Sequence, residues 1–214
     1  MRLVGHRGCA ARAPENTLAA VERASPHVDA IEVDVRRCGS GEVVVVHDAS
    51  LDRLAGVDRR VSETPRDDLR ELRVLDSEEW LPLLSEVVDA VPPTVGLNVE
   101  LKECGLAGDV DAIVSTHPEV WVSSFDAEAL AETSLPRAFL FADDWETSVK
   151  TAEALDCTAL HPRYDLVLDD PDRVADAHDR GFDVNVWTPP VEAVPRLSEV
   201  GVDGVIVDDW AVDR

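Results

Sequence analysis

The chain has 214 residues, 45% of them hydrophobic, enough for an ordinary buried core and an argument against intrinsic disorder. Asp and Glu number 44 against 20 Lys and Arg, a formal net charge of -24. That balance argues against general binding to nucleic acid, whose affinity comes from cationic side chains on phosphates, and against docking on an anionic membrane.

In chain order, β-branched runs predict strands over 2–6, 30–36, 43–47, 95–102, 120–125, 137–142, 158–162, 183–188 and 204–208. Amphipathic stretches between them predict helices over 15–25, 82–91, 107–116, 127–133, 145–156, 171–180 and 191–200. Asp170-Pro171 and Thr188-Pro189-Pro190 signal helix starts, and Gly181 and Gly201 signal stops. Residues 49–80 are charged and poorly periodic, and read as a loop or small insertion in which Ser62-Glu63-Thr64-Pro65 can start one short helix. Repeated strand–helix units imply a parallel sheet. With 43–47 as a hairpin extension of 30–36, eight strands remain, which predicts a single-domain α/β fold, a compact (β/α)8 TIM barrel over 1–214. A doubly wound open sheet is the alternative, but it would want G-x-G-x-x-G after the first strand, and that motif is absent. Only Trp210 to Arg214 follow the last strand, too few for a full closing helix.

Residues two apart in a strand share a face. In 30–36, Ile31, Val33 and Val35 form an apolar face, while Glu32 and Asp34 share the other. In 96–102, Leu97, Val99 and Leu101 oppose Asn98, Glu100 and Lys102, and Val184-Asn185-Val186-Trp187 repeats the arrangement. In a barrel the second face is the lumen, normally filled with apolar side chains. Carboxylates there are costly unless paired or bound to metal. Glu32, Asp34 and Glu100 therefore predict a site for one divalent cation, Mg2+ or Ca2+, which favour oxygen ligands. A solvent-facing strand edge would explain the alternation equally in an antiparallel sheet; helices outside a parallel barrel argue against it.

His6 and His47 each close a predicted strand at the same mouth and are candidates for proton transfer near neutral pH. Arg7 and Lys102 are candidate phosphate clamps, Arg7 alternatively an ion-pair partner of a carboxylate. His161 ends a predicted strand and is expected near the pocket; His27, His117 and His178 read as surface residues. Cys9, Cys38, Cys104 and Cys157 contain no C-x-x-C, so neither a zinc site nor a disulfide framework is expected. No transmembrane run and no signal peptide are seen, so stable membrane insertion is not expected and a reducing cytoplasm is. The basic residues are 18 Arg and only two Lys, a balance that resembles proteins of salt-loving organisms.

The ordered motifs resemble the glycerophosphodiester phosphodiesterase family. They are His6-Arg7-Gly8, Pro14-Glu15-Asn16-Thr17, Ile31-Glu32-Val33-Asp34-Val35, Val46-His47-Asp48 with Leu51 and Arg53, Val99-Glu100-Leu101-Lys102, Ser124-Phe125, Asn185-Val186-Trp187-Thr188 and 201–208. The resemblance implies a TIM barrel that uses a divalent cation and hydrolyses a small-molecule glycerophosphodiester to glycerol phosphate and an alcohol, with the glycerol 2-hydroxyl attacking first. It implies Glu32, Asp34 and Glu100 as metal ligands, His6 and His47 as the acid–base pair, Arg7 and Lys102 on the phosphate, and Trp187 on the substrate. Two departures bear on leaving-group selectivity and pocket depth. Arg37-Cys38-Gly39-Ser40-Gly41 stands where the family often has Thr-x-Asp-Gly, and the insertion after His47 and the final helix are short. A lysophospholipase D-like phosphodiesterase for lipid headgroups and a non-catalytic phosphate-ester-binding barrel are the competing functions.

Overall fold

The computed structural model describes residues 1–212. Within them nine strands form one sheet: β1 (Arg2–Gly5), β2 (Ala30–Arg37), β3 (Val43–Val45), β4 (Gly96–Leu101), β5 (Val120–Ser124), β6 (Arg137–Phe141), β7 (Ala159–Pro162), β8 (Asp183–Trp187) and β9 (Gly204–Val207). All but β3 run parallel, and β1 pairs with both β9 and β2, so the sheet closes into an eight-stranded barrel. β3 folds back antiparallel on β2, with Val35 opposite Val45. The helices are α1 (Leu18–Ala24), α2 (Asp52–Ala55), α3 (Arg66–Arg70), α4 (Leu84–Ala90), α5 (Ala107–Val114), α6 (Ala127–Ala131), α7 (Trp145–Ala154), α8 (Tyr164–Asp169), α9 (Asp172–Asp179) and α10 (Val194–Val200).

The alternation read from the sequence is what builds the two layers. Ile31, Val33, Val35, Leu97, Val99 and Leu101 point outward and are fully buried with Val21, Val87 and Val110 of α1, α4 and α5. Burial of each such side chain is worth about 1.5–3 kcal/mol. The inward face holds a small apolar plug, Val4, Ala30 and Ile206 with Trp121 and Trp187, and polar residues above it. Helix ends follow local chemistry: Thr17 accepts from Ala20 N–H at the start of α1, Asp126 from Glu128 N–H at α6, and Gly201 closes α10 at φ 92°.

Besides shifts of two or three residues, such as β3 ending at Val45 and α10 starting at Val194, four segments depart from the predicted elements. The first strand stops at Gly5, and His6–Gly8 make a 3-10 turn with Arg7 at φ 52°. A side chain at Gly8 would meet the Ala20 Cβ at 2.7 Å, so this turn lies directly on α1. The first helix begins at Leu18 rather than 15, because Asn16 is left-handed at φ 59° and its side chain bonds to β2. Residues 49–80 are more ordered than a loop: α2, a 3-10 turn over Val61–Glu63 and α3 enclose a separate small core of Val44, Val46, Leu51, Leu54, Val61 and Leu69. The predicted helix start at Ser62–Pro65 falls just before α3. Finally, α8 was not expected. After β9, Trp210 stacks on His27 with ring centroids 4.7 Å apart, and Arg12 pairs with Asp209 at 2.7 Å. All four cysteines are free thiols.

Candidate active site

The C-terminal ends of the strands open on a cavity of about 230 Å³. Its lining includes His6, Arg7, Glu32, His47, Glu100, Lys102 and Trp187, seven of the eight site residues predicted from the sequence. The eighth, Asp34, is fully buried just behind them.

Parallel pairing of β2 with β4 sets Asp34 opposite Glu100 and Glu32 opposite Asn98. Carboxylate oxygens of Glu32, Asp34 and Glu100 thereby come within 4.8 Å of one another. Burial, then the charge of Asp34, pushes Glu32 up to about 8 and Glu100 up to about 7. Asp34 is also buried, but Lys102 and Arg7 hold it below the usual carboxylate range. Glu32 Oε1 and Asp34 Oδ1 accept no hydrogen bond among the described residues. Crowded, buried and under-satisfied oxygens of this kind match the donor set of a hard divalent cation.

The basic residues are already engaged. Arg7 reaches Glu15 at 2.9 Å and Asp34 at 3.2 Å, so the ion-pair alternative holds while the guanidinium still lines the cavity. Its backbone N–H donates to Glu32 at 2.8 Å. Lys102 Nζ lies 2.5 Å from Glu100 and 3.5 Å from Asp34, and 6.0 Å from the Phe125 ring centroid. Trp187 donates its indole N–H to the carbonyl of His161 at 2.9 Å and meets Phe125 edge-on at 5.5 Å.

Each imidazole has a carboxylate behind it. His6 Nδ1 lies 2.6 Å from Asp208, and His47 Nδ1 lies 2.6 Å from Asp48. Burial lowers the pKa of His6, but the Asp208 hydrogen bond and the charge of Glu32 outweigh it and the net shift is upward. At His47 burial prevails over the charge of Asp34 and the Asp48 hydrogen bond, and the net shift is downward. Asp48 is held in turn by Arg53 at 2.7 Å, and Arg53 grips both oxygens of Glu15 at 2.7 Å. One continuous chain of charges therefore runs from His47 through Asp48, Arg53, Glu15 and Arg7 to Asp34.

Glu15, Asn16, Asp48, Arg53, Asp208 and Ser123 also support or line the site, and the sequence pattern alone assigns them no role. Pro14-Glu15-Asn16-Thr17 was the available signal: a buried acid and amide just before a helix have no business in an exposed first turn. His161 is fully buried within β7 beside the cavity, in register with Leu140 and with its carbonyl accepting from Trp187 at 2.9 Å, but it is not itself among the cavity-lining residues. His27 and His178 are exposed and His117 is half-buried, all outside the cavity lining.

A TIM barrel with its polar cluster at the C-terminal mouth is the arrangement of an enzyme. The profile of the Glycerophosphoryl diester phosphodiesterase family matches residues 6–104 and 106–212, and the chain belongs to that family. A glycerophosphodiester phosphodiesterase of Caldanaerobacter subterraneus subsp. tengcongensis is 27% identical to it over 97% of this chain and 93% of that protein. Among solved structures, an Oleispira antarctica phosphodiesterase in complex with the product sn-glycerol-3-phosphate superposes with a TM-score of 0.88 at 27% identity, covering 97% of this chain and 93% of that one. The glycerophosphodiester phosphodiesterase of Thermotoga maritima gives 0.87 at 29% identity, covering 98% and 95%.

Proposed function

We propose that this chain hydrolyses glycerophosphodiesters to glycerol phosphate and an alcohol, using a divalent cation, Mg2+ or Ca2+, held by Glu32, Asp34 and Glu100. The observation that carries the reading is the meeting of three buried carboxylates and two carboxylate-backed imidazoles at one cavity. Membership of the family and the product-bound relative support it.

When bound, the cation supplies positive charge against the phosphoryl oxygens. Arg7 and Lys102 flank the same place and orient the phosphate, each kept in position by a carboxylate. With Nδ1 of His6 and His47 occupied by Asp208 and Asp48, Nε2 is the atom left to carry a proton. One imidazole takes the proton of the glycerol 2-hydroxyl at Nε2 as that oxygen attacks phosphorus, and the other protonates the leaving alcohol, which leaves a cyclic phosphate. With the roles exchanged, water then attacks phosphorus and gives its proton to the second imidazole, and the first protonates the departing ring oxygen to give glycerol phosphate. Trp187 and Phe125 form an aromatic edge at the cavity, Phe125 exposed and Trp187 half-buried, against which a substrate can rest. The cavity of about 230 Å³ lies below the ~300–1,000 Å³ typical of pockets for drug-sized ligands, which favours a small polar diester over one carrying an acyl chain.

Residues 1–214 serve this reaction as one domain. The reading extends to a cytoplasmic protein of a high-salt medium, supported by the net charge of -24 and by the absence, among the described residues, of a helix long and apolar enough to cross a membrane. The test is release of the free alcohol from glycerophosphocholine, glycerophosphoethanolamine and glycerophosphoglycerol, and from a lysophospholipid, with chelator, Mg2+ or Ca2+. Metal-dependent turnover of the glycerophosphodiesters is expected. Preference for the lysophospholipid would move the protein to lipid headgroups, and phosphate-ester binding without turnover would make it a binding barrel.

A further inference from the structure

Asn98 and Ser123 lie on neighbouring strands in the inner wall of the cavity, Asn98 opposite Glu32 and Ser123 opposite Glu100. Their exposures are 1% and 0%. Asn98 Nδ2, Asn98 Oδ1 and Ser123 Oγ have no hydrogen-bond partner among the described residues. Such groups are costly to bury unsatisfied, by about 1–3 kcal/mol each. The nearby Asn16 shows the contrast: its amide donates to Asp34 Oδ2 at 2.8 Å and accepts from the Asp34 N–H at 3.2 Å, so both ends are used to hold β2. Ser124, next to Ser123 and facing the other way, donates to the Leu101 carbonyl at 2.7 Å.

The rest of the cavity divides by charge. Arg7 and Lys102 stand at the carboxylate cluster, Leu140 and Ile206 add apolar wall, and Asn98 and Ser123 are buried neutral polar groups on the β4–β5 side of the wall, in register with Glu32 and Glu100. A phosphoryl oxygen only accepts; it can take hydrogen bonds from Asn98 Nδ2 and Ser123 Oγ but leaves Asn98 Oδ1 without a donor. An alcohol hydroxyl both donates and accepts, which matches an amide beside a serine hydroxyl atom for atom.

We propose that Asn98 and Ser123 form the subsite that recognises the uncharged, hydroxyl-bearing arm of the substrate. This rests on the function proposed above, where that arm is glycerol. The polyol arm then lies against the β4–β5 wall beside the carboxylate cluster, which takes the phosphate, and the leaving alcohol lies toward Phe125 and Trp187.

Calorimetric titration of the full chain, at fixed Mg2+, with sn-glycerol 3-phosphate and with ethyl phosphate tests this. The wild type is expected to favour glycerol phosphate. Asn98→Leu should weaken glycerol phosphate roughly ten- to hundred-fold while leaving ethyl phosphate nearly unchanged. Ser123→Ala, a smaller change, should narrow the same preference and answers the question if Asn98→Leu fails to fold. Equal affinity of the wild type for both esters, or an equal loss of both in the variants, overturns the subsite and leaves the proposed reaction standing. Binding of neither ester removes the proposed reaction and the subsite with it.

Discussion

His161 is sealed inside β7, and burial pushes its pKa down to about 3. In the unfolded chain it titrates near its ordinary value of about 6.5. Between those values the unfolded state binds a proton that the folded state refuses, so stability falls as pH falls from about 6.5 toward 3. From pH about 7 to about 5 the loss due to this group is about 2 kcal/mol. His161→Gln removes the titration, so urea unfolding at the two pH values should show a smaller drop in the variant; equal drops would contradict the assignment. At the cavity, Asp34→Asn keeps shape but removes a charge beside two other carboxylates. Metal affinity by calorimetry should fall by more than the ~10-fold that loss of an outer partner costs. His6→Ala and His47→Ala should each reduce kcat by about 10²–10⁴ with little change in the circular-dichroism spectrum. A variant with wild-type turnover would take that imidazole out of the reaction.

At the scale of elements, the turn before α1 does two tasks. Thr17 accepts from Ala20 N–H and donates to the Pro14 carbonyl at 2.7 Å, which ties the cap to the segment carrying Glu15 and Asn16. Thr17→Ala should cost about 1 kcal/mol in urea unfolding, and Thr17→Ser should recover most of it; no difference between the two would mean the cap is not what holds the turn. This segment also marks where sequence reading runs out. The period-two alternation of Glu32 and Asp34, or Asn98 and Glu100, is local, so the strands, the barrel and the carboxylate cluster were legible. Helix periodicity is local too, but Asn16 leaves the helix for a bond to Asp34, 18 residues away, and no window of pattern contains that. The support of His6 by Asp208 spans 202 residues and exists only because β1 and β9 are neighbours in the closed barrel. α2 and α8 have four and six residues, too short to establish a period.

For the whole molecule the dominant fact is charge. A net charge of -24 on a chain of this size repels itself in the compact state. The range of that repulsion is set by salt: the Debye length is about 30 Å at 0.01 M and about 3 Å at 1 M. Ion pairs offset part of it, yet many are exposed, such as Arg59 with Asp68 and Arg180 with Glu153, and exposed pairs contribute little. Melting temperature should therefore rise with KCl from about 0.1 M into the molar range, with free divalent cation held constant so that ligand linkage is not mistaken for screening. A flat or falling series would remove the high-salt reading and leave the reaction untouched.

The small core under residues 49–80 is separate from the larger one outside the barrel, joined to it by bonds such as Gly39 N–H to the Thr64 carbonyl at 2.8 Å and Arg66 to Glu86 at 3.1 Å. Val61 and Leu69 pack there with Val44 of β3, apart from the main core, and the same segment carries Arg53, which holds Asp48 and Glu15. Segments with few links to the main core open at lower free energy than the domain as a whole. Opening of this segment alone would take Arg53 from Asp48, the partner of His47, and leave the eight paired strands shut. Heating should then silence the enzyme before it melts: the midpoint for loss of activity would lie below that of the circular-dichroism transition, and amide exchange in 49–80 would outpace that in β2 and β4. Coincident midpoints and matched exchange would show that the segment and barrel unfold together; separated ones would make its opening a thermal fuse set beside the imidazole.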